Sequence, residues 1–312
     1  MRKSSPFAEG PGPAAVYVAF RAAAWLAENV PIAVADRAAQ FGGDLAWRAA
    51  GRKRKIVEAN LARVVGNGPE LDPLVRAAFR SYADYWVETF RLGRYSRADL
   101  LRMVHPVADT VEVMEKALAE GRGVLLATGH IGFYDIGVAW VGAKGWPFTT
   151  VGEVLRPRAL FEWFAGIRTE RGMHVIPASG GPATRSELGR RLDGGSGVAL
   201  LADRDLKRRG VWGEFFGEKT TFPASPAMLV VDKRVPLLAG AIYKDGPQRY
   251  RVLFERVPYS LSGDRDRDIS TVTAVIARAL EGLIRPSPEQ WHLFNTNWPS
   301  DEPHLSARGS TR

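Results

Sequence analysis

Two hydrophobic periods divide this chain. Up to about Asp109 the apolar positions recur at helical spacing, over 56–65 and in the long run 71–91. Beyond that point, short apolar runs alternate with helical stretches. The pattern predicts a helix over 111–120 that Gly121 closes, a buried strand over 124–127, a helix over 133–141 and a strand over 148–151. Pro157 opens a helix that runs to about Arg171, where Gly172 can close it. A strand at 174–176, a helix at 185–192 and a strand at 198–202 follow. Strands at 235–243 and 250–257 flank a turn of Asp245, Gly246 and Pro247, and a helix over 269–284 comes last. Strands alternating with helices of this length form βαβ units. The expected fold class is α/β, with a mostly parallel central sheet flanked by helices and an N-terminal helical segment. Residues 1–109 are that segment, 110–298 the α/β core and 299–312 a flexible tail, together expected to form one compact domain.

The stretch 14–35 is rich in Ala, Val and aromatics, but Arg21, Glu28, Asn29 and Pro31 interrupt it. A membrane-spanning helix needs about 20 mostly apolar residues, so none is expected, and no secretory signal is apparent. Two readings stay open: an amphipathic helix lying in a membrane interface, with the basic run 52–55 reaching anionic headgroups, or a core helix followed by a solvated basic turn.

Composition narrows the chemistry. A chain of 312 residues with 46% hydrophobic content can bury a sizeable core. It has no cysteine, which removes thiol nucleophiles, thiolate metal sites and disulfides. A formal charge of +9 points to an anionic partner, whether lipid headgroup, nucleic acid or phosphorylated substrate. No GxSxG, strand-linked GxGxxG or GxxxxGK[ST] occurs, so nucleophile-elbow, dinucleotide and P-loop readings lose their support. His105, His174, His292 and His304 lack metal-ligand spacing and read as structural; no metal site is expected.

What remains is His130 in LLATGHIGFYDIG, between a predicted strand and helix, with Asp135 five residues on. Inside one helix, five steps of about 100° would set the two roughly 140° apart. With His130 in a loop that Gly129 and Gly132 loosen, Asp135 in the first helical turn can face back toward it. The alternative is that His130 is a polar loop residue and Asp135 favours the helix N-terminus electrostatically. In parallel sheets, ligands sit beyond the carboxyl ends of the strands. His130, Glu153 and Asp203 each follow such an end, and Arg168 on the helix after Glu153 can reach the same crevice. Either these side chains converge, or they are ordinary strand-end and helix-surface polar residues. A converging histidine and carboxylate would act as a general base on a substrate hydroxyl.

The segments NLARVVG, SYADYWVETFRL, GHIGFYDIG, FTTVGEVLRPRALFEWFAGIRTERG, ADRDLKRRGVWGEFFGEKTTFPASPAMLV and WHLFNTNW, taken in order, carry a resemblance. The HxxxxD pattern of His130 and Asp135 resembles that of glycerolipid acyltransferases. The whole series, from Asn60 to Trp298, resembles the phosphatidylinositol mannoside acyltransferases among the bacterial lipid A late acyltransferases. The resemblance implies transfer of a long acyl chain from acyl-CoA, a substrate and not a resident cofactor, to a mannose hydroxyl. It implies a peripheral enzyme at the cytoplasmic face of the plasma membrane, partnered with an anionic glycolipid and membrane surface and with no nucleic acid. It makes His130 the base and Asp203, where the family often has Glu, the acid that orients it. Asp135 and Arg168 become a supporting pair, with Glu153 a further polar neighbour. Arg204, Lys207 and Arg208 could meet the phosphates of either substrate. Tyr134, Phe161, Trp163 and Phe164 either line an acyl groove or belong to the core. Other acceptors, a lipid A precursor or a lysophospholipid, fit the same residues. A basic membrane-surface or nucleic-acid-binding protein without catalysis would account for the charge but not for His130.

Overall fold

A computed structural model describes residues 4–178 and 181–301. Helices come first: α1 (Pro11–Asn29), α2 (Ile32–Ala49), α3 (Gly51–Val65), α4 (Leu71–Arg91) and α5 (Arg97–Met103). Then follow β1 (Val104–Pro106), α6 (Thr110–Ala119), β2 (Val124–Thr128), α7 (Tyr134–Ala143), β3 (Phe148–Gly152), α8 (Arg158–Thr169) and β4 (Met173–Pro177). The chain continues through α9 (Pro182–Asp193), β5 (Gly197–Leu201), β6 (Val211–Phe215), β7 (Glu218–Phe222) and α10 (Ala224–Lys233). It closes with β8 (Leu237–Gly246), β9 (Arg249–Arg256) and α11 (Arg265–Ile284).

Seven strands form one sheet in the order β1-β9-β8-β2-β5-β3-β4. Pairing is parallel from β8 across to β4, while the β8–β9 hairpin is antiparallel. The fold is α/β with a mostly parallel central sheet, as the alternation of periods predicts. Continuous apolar runs such as VLLA in β2 arise because both faces of the sheet are covered. Leu125 and Ala127 point to the side packed by α9, α10 and α11, whereas Val124 and Leu126 point to the side packed by α5, α6 and α7. Alternate residues of one strand thus serve two cores.

Three regions depart from the sequence reading. Val104–Pro106, inside the stretch expected to be helical, adds a parallel edge strand to β9, because tertiary pairing overrides a run too short to show a period. The antiparallel β6–β7 ribbon and helix α10, inside a segment the periodicity left unassigned, follow β5. Ordered structure also reaches Asp301, within the segment expected as a tail: Pro299–Asp301 form a 3₁₀ turn, and Arg63 Nη2 donates to Asp301 Oδ1 at 2.8 Å. The rest of that expected tail lies outside the described residues.

The N-terminal helices pack through α4, whose Leu71, Val75, Ala78 and Phe79 recur at helical spacing on the buried face. Asp44 of α2 accepts paired hydrogen bonds from Arg76 and Arg80 of α4. Helix α1 buries only a narrow stripe, Ala14, Ala24 and Ala27, with Phe20 edge-on to Trp86, Phe90 and Phe164. Its Trp25 and Leu26 stay exposed, as do Phe41 and Leu45 of α2. No described helix is long and apolar enough to cross a membrane.

Candidate active site

Strands β2 and β5 are parallel neighbours, with Thr128 paired to Leu201. His130 and Asp203 each lie two residues beyond that pair, so the two loops leave the sheet side by side. His130 Nδ1 sits 2.8 Å from Asp203 Oδ1, and the His130 backbone N–H donates to Asp203 Oδ2 at 3.0 Å. A third donor, Trp291 Nε1–H, reaches Oδ2 at 3.0 Å. Asp203 is fully buried. Burial alone would raise its pKa, but the charge and hydrogen bonds of His130, with the bond from Trp291, bring it down to about 2. An ionised carboxylate only accepts hydrogen bonds, so Nδ1 carries the hydrogen in this pair. Nε2 is then the ring nitrogen left for chemistry.

The loop that presents His130 is pinned by backbone contacts. Gly132 donates to Gln290 O at 2.6 Å, Phe133 to Ile242 O at 2.9 Å, and His292 to His130 O at 2.7 Å. Gly132 has φ +63°, and a Cβ there would stand 1.7 Å from Ile242 O, so only glycine fits. The segment after α11 therefore holds both members of the pair, since Asn297 Nδ2 also donates to Asp203 O at 3.1 Å. These supporting roles of Trp291 and Asn297 escape sequence reasoning, although both lie in WHLFNTNW. His292 is buried beside them, with Ser81 at 2.9 Å from Nε2, and burial pushes its pKa down to about 3, with His130 adding to the shift.

Asp135 does not meet His130. Its Oδ1 accepts from Arg168 Nε at 2.7 Å, and its Oδ2 from the hydroxyls of Tyr85 at 2.7 Å and Thr89 at 3.3 Å. Burial works to lower the Arg168 pKa, but Asp135 and the phenols of Tyr85 and Tyr134 outweigh it and raise it overall. This network ties α4, α7 and α8 together. Glu153 is exposed at the cavity mouth, because β5 lies between β3 and β2 in the sheet and takes the place next to His130.

His130, Asp135, Arg168, Glu153, Arg204 and Lys207 all line one cavity of about 660 Å³. It runs from the strand ends beneath α7, between Gly137, Val138 and Val141 of that helix and Leu126, Ala199 and Gly240 of the sheet, toward Phe148 and Phe254. Tyr134, Phe161 and Phe164 face it; Trp163 instead stacks near Phe90 and under the Arg21 guanidinium. Arg208 lines a smaller adjoining cavity and donates through Nη2 to Trp298 O at 3.3 Å. An imidazole held by an ionised partner, set at the mouth of an apolar chamber, can deprotonate a hydroxyl next to a buried aliphatic group.

A sequence profile of the bacterial lipid A biosynthesis acyltransferases matches residues 13–300. The phosphatidylinositol mannoside acyltransferase of Mycolicibacterium smegmatis is 34% identical over 284 residues, 90% of this chain and 90% of its own. The protein of that name in Mycobacterium tuberculosis is 35% identical over 245 residues, covering 78% of this chain and 76% of its own. The profile match takes in every strand of the sheet and both loops that bring His130 to Asp203, and the chain belongs to the bacterial lipid A biosynthesis acyltransferase family.

Proposed function

We propose that this protein transfers a long-chain acyl group from acyl-CoA to a mannose hydroxyl of a phosphatidylinositol mannoside. The observation that carries this reading is the His130–Asp203 pair at the mouth of an apolar cavity large enough for an aliphatic chain. The two mycobacterial relatives support the acceptor.

In the reaction, His130 Nε2 takes the proton of the sugar hydroxyl as its oxygen attacks the thioester carbonyl. The C–O bond forms, the tetrahedral intermediate collapses, the C–S bond breaks, and the proton passes from His130 to the departing thiolate. Asp203 stabilises the imidazolium that forms in between. A positioned base of this kind contributes about 10² to 10⁴ in rate. A thioester brings its own leaving group, so the reaction needs neither a covalent enzyme intermediate nor a resident cofactor. Asp135 and Arg168 hold α7 and α8 in place around the chamber, and Glu153 stands at its mouth. Arg204 and Lys207, and Arg208 in the adjoining cavity, offer positive charge to a phosphorylated substrate.

The exposed apolar side chains of α1 and α2, including Trp25, Leu26, Phe41 and Leu45, support peripheral attachment to a lipid surface, which the proposed reaction puts at the cytoplasmic face of the plasma membrane. The test is incubation of purified protein with radiolabelled palmitoyl-CoA and a panel of acceptors. Label is expected on the mannoside. Label confined to a lysophospholipid or a lipid A precursor overturns the acceptor assignment.

A further inference from the structure

A second, polar cavity of about 280 Å³ opens beside the mouth of the large one, and the two share Lys53, Asp205, Leu206 and Asn295. Its walls come from the first two turns of α3, from the loop after Asp203 and from Asn295 and Thr296. Arg52 and Lys53 stand on the α3 side. Lys53 Nζ donates to Phe294 O at 2.8 Å and Asn295 Oδ1 at 3.3 Å, which holds the ammonium over the opening and leaves a third N–H for another partner. Arg204, the residue after Asp203, is half-buried in the wall of the large cavity and makes no hydrogen bond or ion pair among the described residues.

Negative charge to balance this group is scarce. Asp205 is the carboxylate in the wall of the smaller cavity, and its oxygens are already engaged with its own loop, from Lys207 N at 3.2 Å and Gly210 N at 2.7 Å. Burial and the neighbouring charges of Arg52 and Arg204 lower the Lys53 pKa. Arg52 and Lys53 also sit where a helix dipole disfavours cations, in a first turn that has no acidic residue. Like charges gathered against the local electrostatics mark a place that an anion completes.

We propose that Lys53 and Arg204, with Arg52 beside them, form a phosphate-binding subsite at the mouth of the catalytic cavity. The inference rests on the acyltransferase reading in one respect: the phosphate belongs to a substrate whose other end enters the large cavity. A guanidinium fork and an ammonium suit the several anionic oxygens of a phosphate ester. Two substrates carry one, the donor in its nucleotide and the acceptor in its phosphodiester.

The experiment titrates the full chain by calorimetry with coenzyme A, with glycerophosphoinositol, and with pantetheine, which lacks phosphate. Arg204→Gln removes no hydrogen bond or ion pair among the described residues, and Lys53→Met removes the ammonium; Lys53→Arg restores the charge. Each neutral variant is expected to lose about tenfold or more in affinity for one of the two phosphorylated probes, from loss of a charge-assisted hydrogen bond. Lys53→Arg is expected to recover most of that loss, and pantetheine binding to stay unchanged. Weakened coenzyme A binding assigns the subsite to the donor; weakened glycerophosphoinositol binding assigns it to the acceptor. Wild-type affinity for both probes in the neutral variants, an equal loss for pantetheine, or no binding of either probe to the wild type overturns the proposal. A wild type that binds coenzyme A through Arg204 yet acylates no mannosyl lipid overturns the functional reading and leaves the subsite standing.

Discussion

His130 donates two hydrogen bonds to Asp203, one from its ring and one from its backbone, across 73 residues of sequence. The doubled contact fixes both the tautomer and the ring plane, which a side-chain bond alone would leave free to swing. Asp203→Asn is therefore expected to lower kcat by about 10² to 10⁴ while the protein stays folded, because an amide nitrogen in place of a carboxylate oxygen stabilises no imidazolium. Steady-state acyl transfer, with circular dichroism as the check on folding, measures it. An Asn variant within threefold of wild type would remove Asp203 from the mechanism.

Trp291 supplies the third donor to the same carboxylate. Trp291→Phe keeps most of the buried ring surface and removes the N–H, so the Asp203 pKa is expected to rise. The loss of one charge-assisted hydrogen bond, on the order of 1.5 kcal/mol, corresponds to about a tenfold fall in kcat. KM for the acyl donor should stay unchanged. A rise in KM with kcat intact would show that the tryptophan shapes the substrate cavity instead.

Arg168→Met leaves the Asp135 carboxylate buried without its counter-ion. Removing one partner of a buried pair costs about 3–5 kcal/mol, and the lower end is expected here because Tyr85 and Thr89 still donate. Urea denaturation reads this directly, and adding Asp135→Asn to the Arg168→Met variant should recover part of the loss.

Lys244 on β8 lies within 3.5 Å of carboxylate oxygens from Asp36, Asp84 and Glu88. Burial raises the Asp84 pKa to about 6; Lys244 opposes the shift, and Asp36 and Glu88 add to it. A folded-state pKa above the unfolded value means that the native state holds the proton more tightly. The stabilisation that Asp84 contributes is then greatest below about pH 4, falls as the pH rises to about 6 and levels off above, by about 1–3 kcal/mol. Asp84→Asn should flatten that slope in urea melts taken at pH 4.5 and pH 7.5. A slope unchanged in the variant would assign it to another group.

Val138 of α7, a half-buried residue, faces the apolar cavity. Val138→Phe fills part of the space, so competition between palmitoyl and octanoyl donors should shift toward the shorter chain, by about tenfold where about two methylenes lose their contacts. An unaltered preference would place the acyl chain elsewhere.

The primary structure by itself determined the architecture of the core. A strand covered on both faces must be apolar at every position, and a helix covered on one side must repeat every three to four residues, so β2, β5, α4 and α11 are written in local periodicity. It also placed His130 in a loop beyond a strand, since GHIG follows VLLAT directly. Short or paired elements were different. Val104–Pro106 and the β6–β7 ribbon are strands because of the partners they meet, and nothing within three or five residues encodes a partner. The choice of carboxylate was likewise tertiary. Local periodicity does not separate Asp135, Glu153 and Asp203 as partners of His130; only the family resemblance pointed to Asp203. Strand order decides among them: β5 inserts between β2 and β3, bringing Asp203 to His130, leaving Glu153 at the rim, and freeing Asp135 to pair with Arg168. Burial then settles the charge state, because a carboxylate removed from water stays ionised only where His130 and Trp291 converge on it.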